Sequence, residues 1–155
     1  MGLTVSNKGI NLIKQFEGCR LEAYKCPAGV WTIGYGTTNA DKAILKAVLG
    51  KGATVKKGLK ITQKQAETLL KKSVAKKYDS KVNKYYKKYK FNQNQFDALV
   101  SFAYNIGSID GLTANGTRTI VQISSKILAY DKAGGKVLPG LTRIRKAEKA
   151  LFDKK

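Results

Sequence analysis

Between Lys8 and Phe16 the apolar residues Ile10, Ile13 and Phe16 recur every third position, the spacing of one helix face. Ser6 precedes them where an N-cap belongs, so a first helix is predicted over about residues 8–16. Gly18 supplies its stop, and Glu17 falls at its C-terminal end. A carboxylate there opposes the helix dipole, where a lysine would suit it. Breaches of a local rule tend to mark function. From Leu21 to Thr38 the pattern changes to strand-type residues, Ala23-Tyr24, Val30-Trp31-Thr32-Ile33 and Tyr35, punctuated by Pro27, Gly29, Gly34 and Gly36. Short antiparallel strands with tight turns are expected there, followed by a polar, Gly- and Lys-rich connection to about Lys60.

Helical periodicity dominates the rest. Thr62-Gln63-Lys64-Gln65 is a capping-box signature opening a long helix, with Ala66, Leu70, Val74, Tyr78 and Val82 spaced by four. That helix is predicted to extend as far as Lys88. Asn92 to Gln95 begins another, facing Phe96, Leu99, Phe102 and Ala103 inward and ending at Gly107. Helical spacing returns from Thr117 to Tyr130, a turn follows at Ala133-Gly134-Gly135, and Leu138-Pro139-Gly140 leads into a last helix ending near Phe152. The pattern reads as one α+β domain over 1–155: a small sheet-bearing N-terminal lobe of about 1–60, a connecting helix of about 62–88 and a helical C-terminal lobe of about 92–155.

Charge and composition narrow the function. Thirty Lys and Arg against ten acidic residues give a net charge of +20, which draws anions without naming one. No run of about 18 apolar residues is present, so no membrane span is expected. The N-terminus lacks the apolar core of a signal peptide, and its Met-Gly-x-x-x-Ser pattern is read as an ordinary start. Asn115-Gly116-Thr117 is read as a turn. Histidine is absent, which removes imidazole bases and the Ser-His and Cys-His nucleophile systems. Two cysteines, Cys19 and Cys26, form neither a disulfide framework nor a metal set, so no metal or cofactor is expected.

Chemistry then rests on carboxylates. Glu17 and Glu22 flank the only strongly aromatic, Gly-punctuated stretch. A carboxyl held partly buried can stay protonated long enough to act as a general acid, and glycoside cleavage needs one beside a second group that handles water or ring charge.

The segment Phe16-Glu17-Gly18-Cys19-Arg20-Leu21-Glu22-Ala23-Tyr24, followed by Trp31-Thr32-Ile33-Gly34-Tyr35-Gly36, resembles the active-site signature of the phage-type lysozymes, glycoside hydrolase family 24. In that family a glutamate is followed after eight residues by aspartate or cysteine, and after five more by threonine; here the series is Glu17, Cys26, Thr32. Residues 94–107 and 133–141, with Arg143, Arg145 and Glu148, match further segments in the same order. The resemblance implies a lysozyme-like fold and a soluble, monomeric endolysin that acts on bacterial peptidoglycan after release from the host cytoplasm. Its substrate would be the β-1,4 bond between N-acetylmuramic acid and N-acetylglucosamine. Carried over, Glu17 is the general acid, Thr32 orients the attacking water, and Asn105 and Tyr35 bind sugar. Cys26 occupies the second catalytic position, either as a small packing thiol or as a thiolate favoured by Lys25 and the positive field. Folding the last helix back would set Arg143 or Arg145 beside Glu17 and position the acid. Thr37 stands where many relatives carry His, and Tyr130 or Asp131 stands near where they place a tryptophan.

Two other readings compete. Tyr85, Tyr86 and Tyr89 interleave with Lys84, Lys87, Lys88 and Lys90, as in some nucleic-acid binders, but the spacing fits a lysine-coated helix with inward tyrosines, so no nucleic-acid partner is expected. A wall-binding protein that keeps the fold without turnover is the other.

Overall fold

The computed structural model describes residues 2–155. In chain order its elements are α1 (Asn7–Lys14), β1 (Arg20–Lys25), β2 (Trp31–Gly34), β3 (Thr37–Thr38), a 3-10 turn (Asn39–Asp41), α2 (Lys42–Leu49) and α3 (Gln63–Asn83). There follow α4 (Tyr86–Tyr89), α5 (Gln93–Ile106), α6 (Asp110–Thr113), α7 (Ile120–Ile127), the small hairpin β4 (Lys132–Ala133) and β5 (Lys136–Val137), and α8 (Pro139–Asp153). The architecture is α+β and lysozyme-like, as expected.

The chain forms two units, one of Glu17–Lys76 and one that combines the residues up to Phe16 with Lys77–Lys155. The lobe expected over about residues 1–60 divides, because α1 belongs with the later helices. The cause is Asp97 on α5, fully buried, which accepts from the Ser6 backbone N–H at 2.8 Å, from the Ser6 hydroxyl and from Gln93 Nε2 at 2.8 Å. Ser6 is therefore the N-cap of α1 in backbone geometry only, its hydroxyl drawn away to α5. Gly9 permits the approach, since a Cβ there would lie 3.0 Å from the Asp97 Cβ. The helix also ends earlier than predicted, with Gln15 as its C-cap.

In the Glu17–Lys76 unit the sheet has the order β1-β2-β3, antiparallel throughout. The segment before α3 adds to the edge of β1: Ala23 N–H donates to Leu59 O and Ile61 N–H to Leu21 O, both at 2.9 Å. The connection expected after the sheet contains α2, whose short run buries only Ile44 and Leu45. The predicted capping box opens α3, with Gln65 N–H on Thr62 Oγ1 at 3.1 Å and Thr62 N–H on Gln65 Oε1 at 2.9 Å. The helix stops at Asn83 rather than Lys88. There the Asn83 amide is taken by both backbone groups of Leu3, and the Tyr85 hydroxyl turns to Asp110.

The other unit is built around α5. Its capping box, Asn92 with Gln95, and its left-handed Gly107 terminus at φ +111° are as predicted, and Phe96, Leu99, Phe102 and Ala103 are fully buried. α8 packs along it and buries an ion pair: Arg145 Nη1 donates to Glu148 Oε1 at 2.7 Å, with both side chains wholly out of solvent. From α5, the Ser101 hydroxyl donates to Glu148 Oε2 at 2.7 Å, Asn105 Oδ1 accepts from Arg145 Nη2, and the Phe102 ring lies 4.9 Å beneath the guanidinium.

Burial pushes the Glu148 carboxyl from 4.5 up to about 7, against the opposing pull of Arg145 and Ser101. The folded state then holds that proton more tightly than the unfolded chain, so this group's contribution to stability falls as pH rises from 4.5 to about 7. Glu148→Gln should flatten that part of the pH profile in thermal melts. Glu148→Ala, which strands a buried guanidinium, should lose about 3–5 kcal/mol in urea denaturation. An alanine variant as stable as the parent would show that the pair does not hold α8 in place.

Candidate active site

The hairpin of β1 and β2 sets two of the predicted site residues side by side. Tyr24 pairs with Thr32 and Lys25 with Trp31. Beyond them the chain turns through Cys26-Pro27-Ala28-Gly29, closed by Gly29 N–H on Cys26 O at 2.8 Å and Cys26 N–H on Val30 O at 3.0 Å. Gly29 is left-handed at φ +79°, which favours a residue without a Cβ. Cys26 is half-buried at the first corner, and Thr32 is buried one pair into the ladder. The Cys26 thiol is held below its ordinary value first by the backbone N–H of Val30 and then by that of Ala28, with the Thr32 hydroxyl adding to the effect against some desolvation. Such a turn favours the thiolate. The Thr32 hydroxyl also reaches Val30 O at 3.0 Å. Its single proton can serve that carbonyl or the Cys26 thiolate, and in either case the oxygen's lone pairs can accept.

Glu17 opens the same unit. It lies in the bend after α1, on irregular backbone, and its side chain is exposed rather than partly buried as expected. Glu22 is also exposed but sits within β1, its backbone bridged to Lys60. Tyr35 is buried in the turn between β2 and β3, and its hydroxyl accepts from Gln63 Nε2 at 2.9 Å. Gln63 also donates to Glu67 Oε2 at 3.2 Å and accepts from the Cys19 thiol at 3.8 Å. Tyr35 is thus placed to brace the start of α3, with little ring face on offer. Sequence reasoning missed Gln63, whose only signal was its place inside the capping box. Both cysteines are unpaired.

In the other unit, Asn105 is exposed at the last turn of α5, its carbonyl edge fixed by Arg145. Arg143 is exposed and lines an open pocket of about 490 Å³ with Gln15, Phe16, Leu138, Leu141 and Ile144. Tyr130 packs its ring edge against Phe102 with centroids 5.0 Å apart. Among the described residues no cluster of His, Cys, Asp and Glu could hold a metal, and no helix is long and apolar enough to cross a membrane.

Comparison with known proteins gives one consistent result. The phage lysozyme family pattern matches residues 14–148. The endolysin of Lactococcus phage c2 is 42% identical over 154 residues, covering 98% of this chain and 61% of its own. This chain therefore spans about three-fifths of that relative's length. The endolysin of Acyrthosiphon pisum secondary endosymbiont phage 1 is 38% identical over 162 residues, covering 96% of this chain and 97% of its own. Among solved structures, the muramidase domain of SpmX from Asticaccaulis excentricus superposes with a TM-score of 0.72 at 31% identity, covering 97% of this chain and 98% of that one.

The hairpin geometry makes a prediction about the thiol alone. In a Cys19→Ala background, the pH profile of Cys26 alkylation should have its midpoint below the ordinary 9.0. Thr32→Val should move that midpoint upward by removing a hydrogen bond to the thiolate. A midpoint at or above the ordinary value, unchanged by Thr32→Val, would contradict the stabilised thiolate.

Proposed function

This chain belongs to the phage lysozyme family, and from that premise we propose that it is a muramidase, hydrolysing the β-1,4 bond between N-acetylmuramic acid and N-acetylglucosamine and so lysing bacterial walls. The observation that carries the chemical part is one hairpin that brings the Thr32 hydroxyl to the Cys26 thiol, in a turn that favours the thiolate. Glu17, in the same unit, stands at the family's acid position.

In this scheme Glu17 gives its proton to the glycosidic oxygen as the anomeric C–O bond breaks. A water attacks the anomeric carbon from the opposite face, one hydrogen accepted by the Thr32 oxygen. The Cys26 thiolate takes the proton that this water loses. Solvent then returns a proton to Glu17 and removes one from Cys26, which restores the site. One displacement by water inverts the anomeric configuration. Glu17 is exposed in the free protein, so the dry surroundings a general acid needs are supplied by the bound glycan.

The remaining assignments belong to the same proposal. Arg145 occupies the carbonyl edge of Asn105, which leaves its N–H edge as the natural donor to a sugar hydroxyl or acetamido oxygen. Tyr35 acts by bracing Gln63. Of the two arginines that the resemblance implies for positioning the acid, Arg145 is buried with its guanidinium on Glu148 and Asn105, and Arg143 is exposed.

Glu17→Gln keeps shape and hydrogen bonding but removes the transferable proton. It should lower the rate of wall clearing by roughly 10²–10⁴-fold with little change in melting temperature. Glu22→Gln should clear walls at close to the parent rate. If Glu22→Gln is the inactive variant and Glu17→Gln the active one, the acid is misassigned.

A further inference from the structure

The muramidase scheme leaves unused the lysine-rich stretch that closes α3 and forms α4. Lys81, Lys84, Lys87, Lys88 and Lys90 are all exposed within ten residues. The acids near them are already engaged. Asp79 accepts from the Thr4 hydroxyl and, at 3.1 Å, from the Val5 N–H, so it serves the N-terminal segment. Asp110 is held by the Tyr85 hydroxyl and by Lys84 at 3.2 Å, with Lys81 near enough to lower its pKa further. No ion pair engages Lys87, Lys88 or Lys90 among the described residues. Lys81 lies in the last turn of α3 and Lys84 directly after it, its N–H still donating to Ser80 O at 3.0 Å, and Lys87 and Lys88 follow on α4.

The tyrosines decide which polyanion suits this face. Tyr85 is buried, its hydroxyl on Asp110, and the Lys84 ammonium lies 5.5 Å over its ring. The Tyr89 hydroxyl donates to Arg118 O at 2.6 Å, its ring stacks on Phe91 with centroids 5.2 Å apart, and Lys88 lies 5.8 Å over it. Single-stranded nucleic acids are held by aromatic faces on which bases stack. Here two of the three interleaved tyrosines have those faces and hydroxyls occupied from within. The surface offers a row of ammonium groups and little stacking platform, which matches a linear polyanion without bases.

We propose that this face docks the protein onto a phosphodiester polymer of the bacterial wall, adding an anchoring function separate from glycan cleavage. The basic face stands without the muramidase reading. Only the choice of a wall polymer among base-free polyanions rests on it.

The test measures binding of the intact protein to poly(glycerol phosphate), with no turnover, across a salt series. Parent protein is compared with a variant carrying Lys81→Gln, Lys84→Gln, Lys87→Gln and Lys88→Gln. The control carries Lys42→Gln, Lys46→Gln, Lys51→Gln and Lys56→Gln, four exposed lysines elsewhere that remove the same charge. The first variant should bind about tenfold or more weakly with a shallower salt dependence, and the control within about threefold of the parent. Cleavage of glycan strands stripped of polymer should be the same in all three. Equal losses in the two variants would reduce the effect to net charge and overturn the proposal. So would tighter binding of oligothymidylate than of a polymer of equal charge. If the first variant fails to fold by circular dichroism, Lys87→Gln with Lys88→Gln against Lys51→Gln with Lys56→Gln reads the same contrast. A protein that binds polymer but never cuts glycan would overturn the muramidase reading and leave this one standing.

Discussion

A guanidinium removed from water must be matched by another charge, and Arg145 has no exposed surface at all. Much of the helical unit is arranged around meeting that demand. Glu148 lies one turn along α8, Ser101 on α5 takes the second carboxylate oxygen, Asn105 takes a guanidinium nitrogen, and Phe102 carries the cation on its face. Among the described residues, Arg145 Nε is the one buried side-chain nitrogen or oxygen without a hydrogen-bond partner. The match is tight enough that the register of α8 on α5 follows from it. The same contacts that hold the core fix which edge of Asn105 is presented outward.

At the other end of α5 a second buried side chain, Asp97, is met by neutral donors. Asp97, Ser101 and Asn105 are spaced by four, so they form one polar row on a helix whose other inward residues are apolar. Asp97 draws in Ser6 and with it α1, while Ser101 and Asn105 serve α8. α5 thus specifies both of its neighbours through polar partners, where apolar packing alone would tolerate slippage. In the sheet-bearing unit, by contrast, position is set by backbone. The turn at Cys26 and the ladder at Thr32 place the thiol and the hydroxyl, and the amides of that turn supply the charge stabilisation.

Elements whose signals are local were legible in the sequence. The capping boxes at Thr62 and Asn92, the Gly107 stop and the strand–turn–strand around Gly29 depend on neighbours a few residues away. α2 was hidden because its apolar face is only Ile44 and Leu45 within a lysine- and glycine-rich run. The early end of α3 and the grouping of α1 with later helices were hidden for another reason. They follow from Asn83 and Asp97 choosing partners about eighty to ninety residues distant. The site shows the same division. Cys26 and Thr32 were singled out by the resemblance to the family's signature, and one hairpin carries both, whereas Gln63 gained its place through Tyr35, a contact no spacing announces.

Under the proposed function, this chain cuts a glycan by adding water across the muramyl bond. Digesting purified peptidoglycan in ¹⁸O-water and identifying the new ends by mass spectrometry tests it most directly. The new reducing ends should be N-acetylmuramic acid, each carrying one ¹⁸O. Reducing N-acetylglucosamine ends, or anhydro ends free of label, would contradict it.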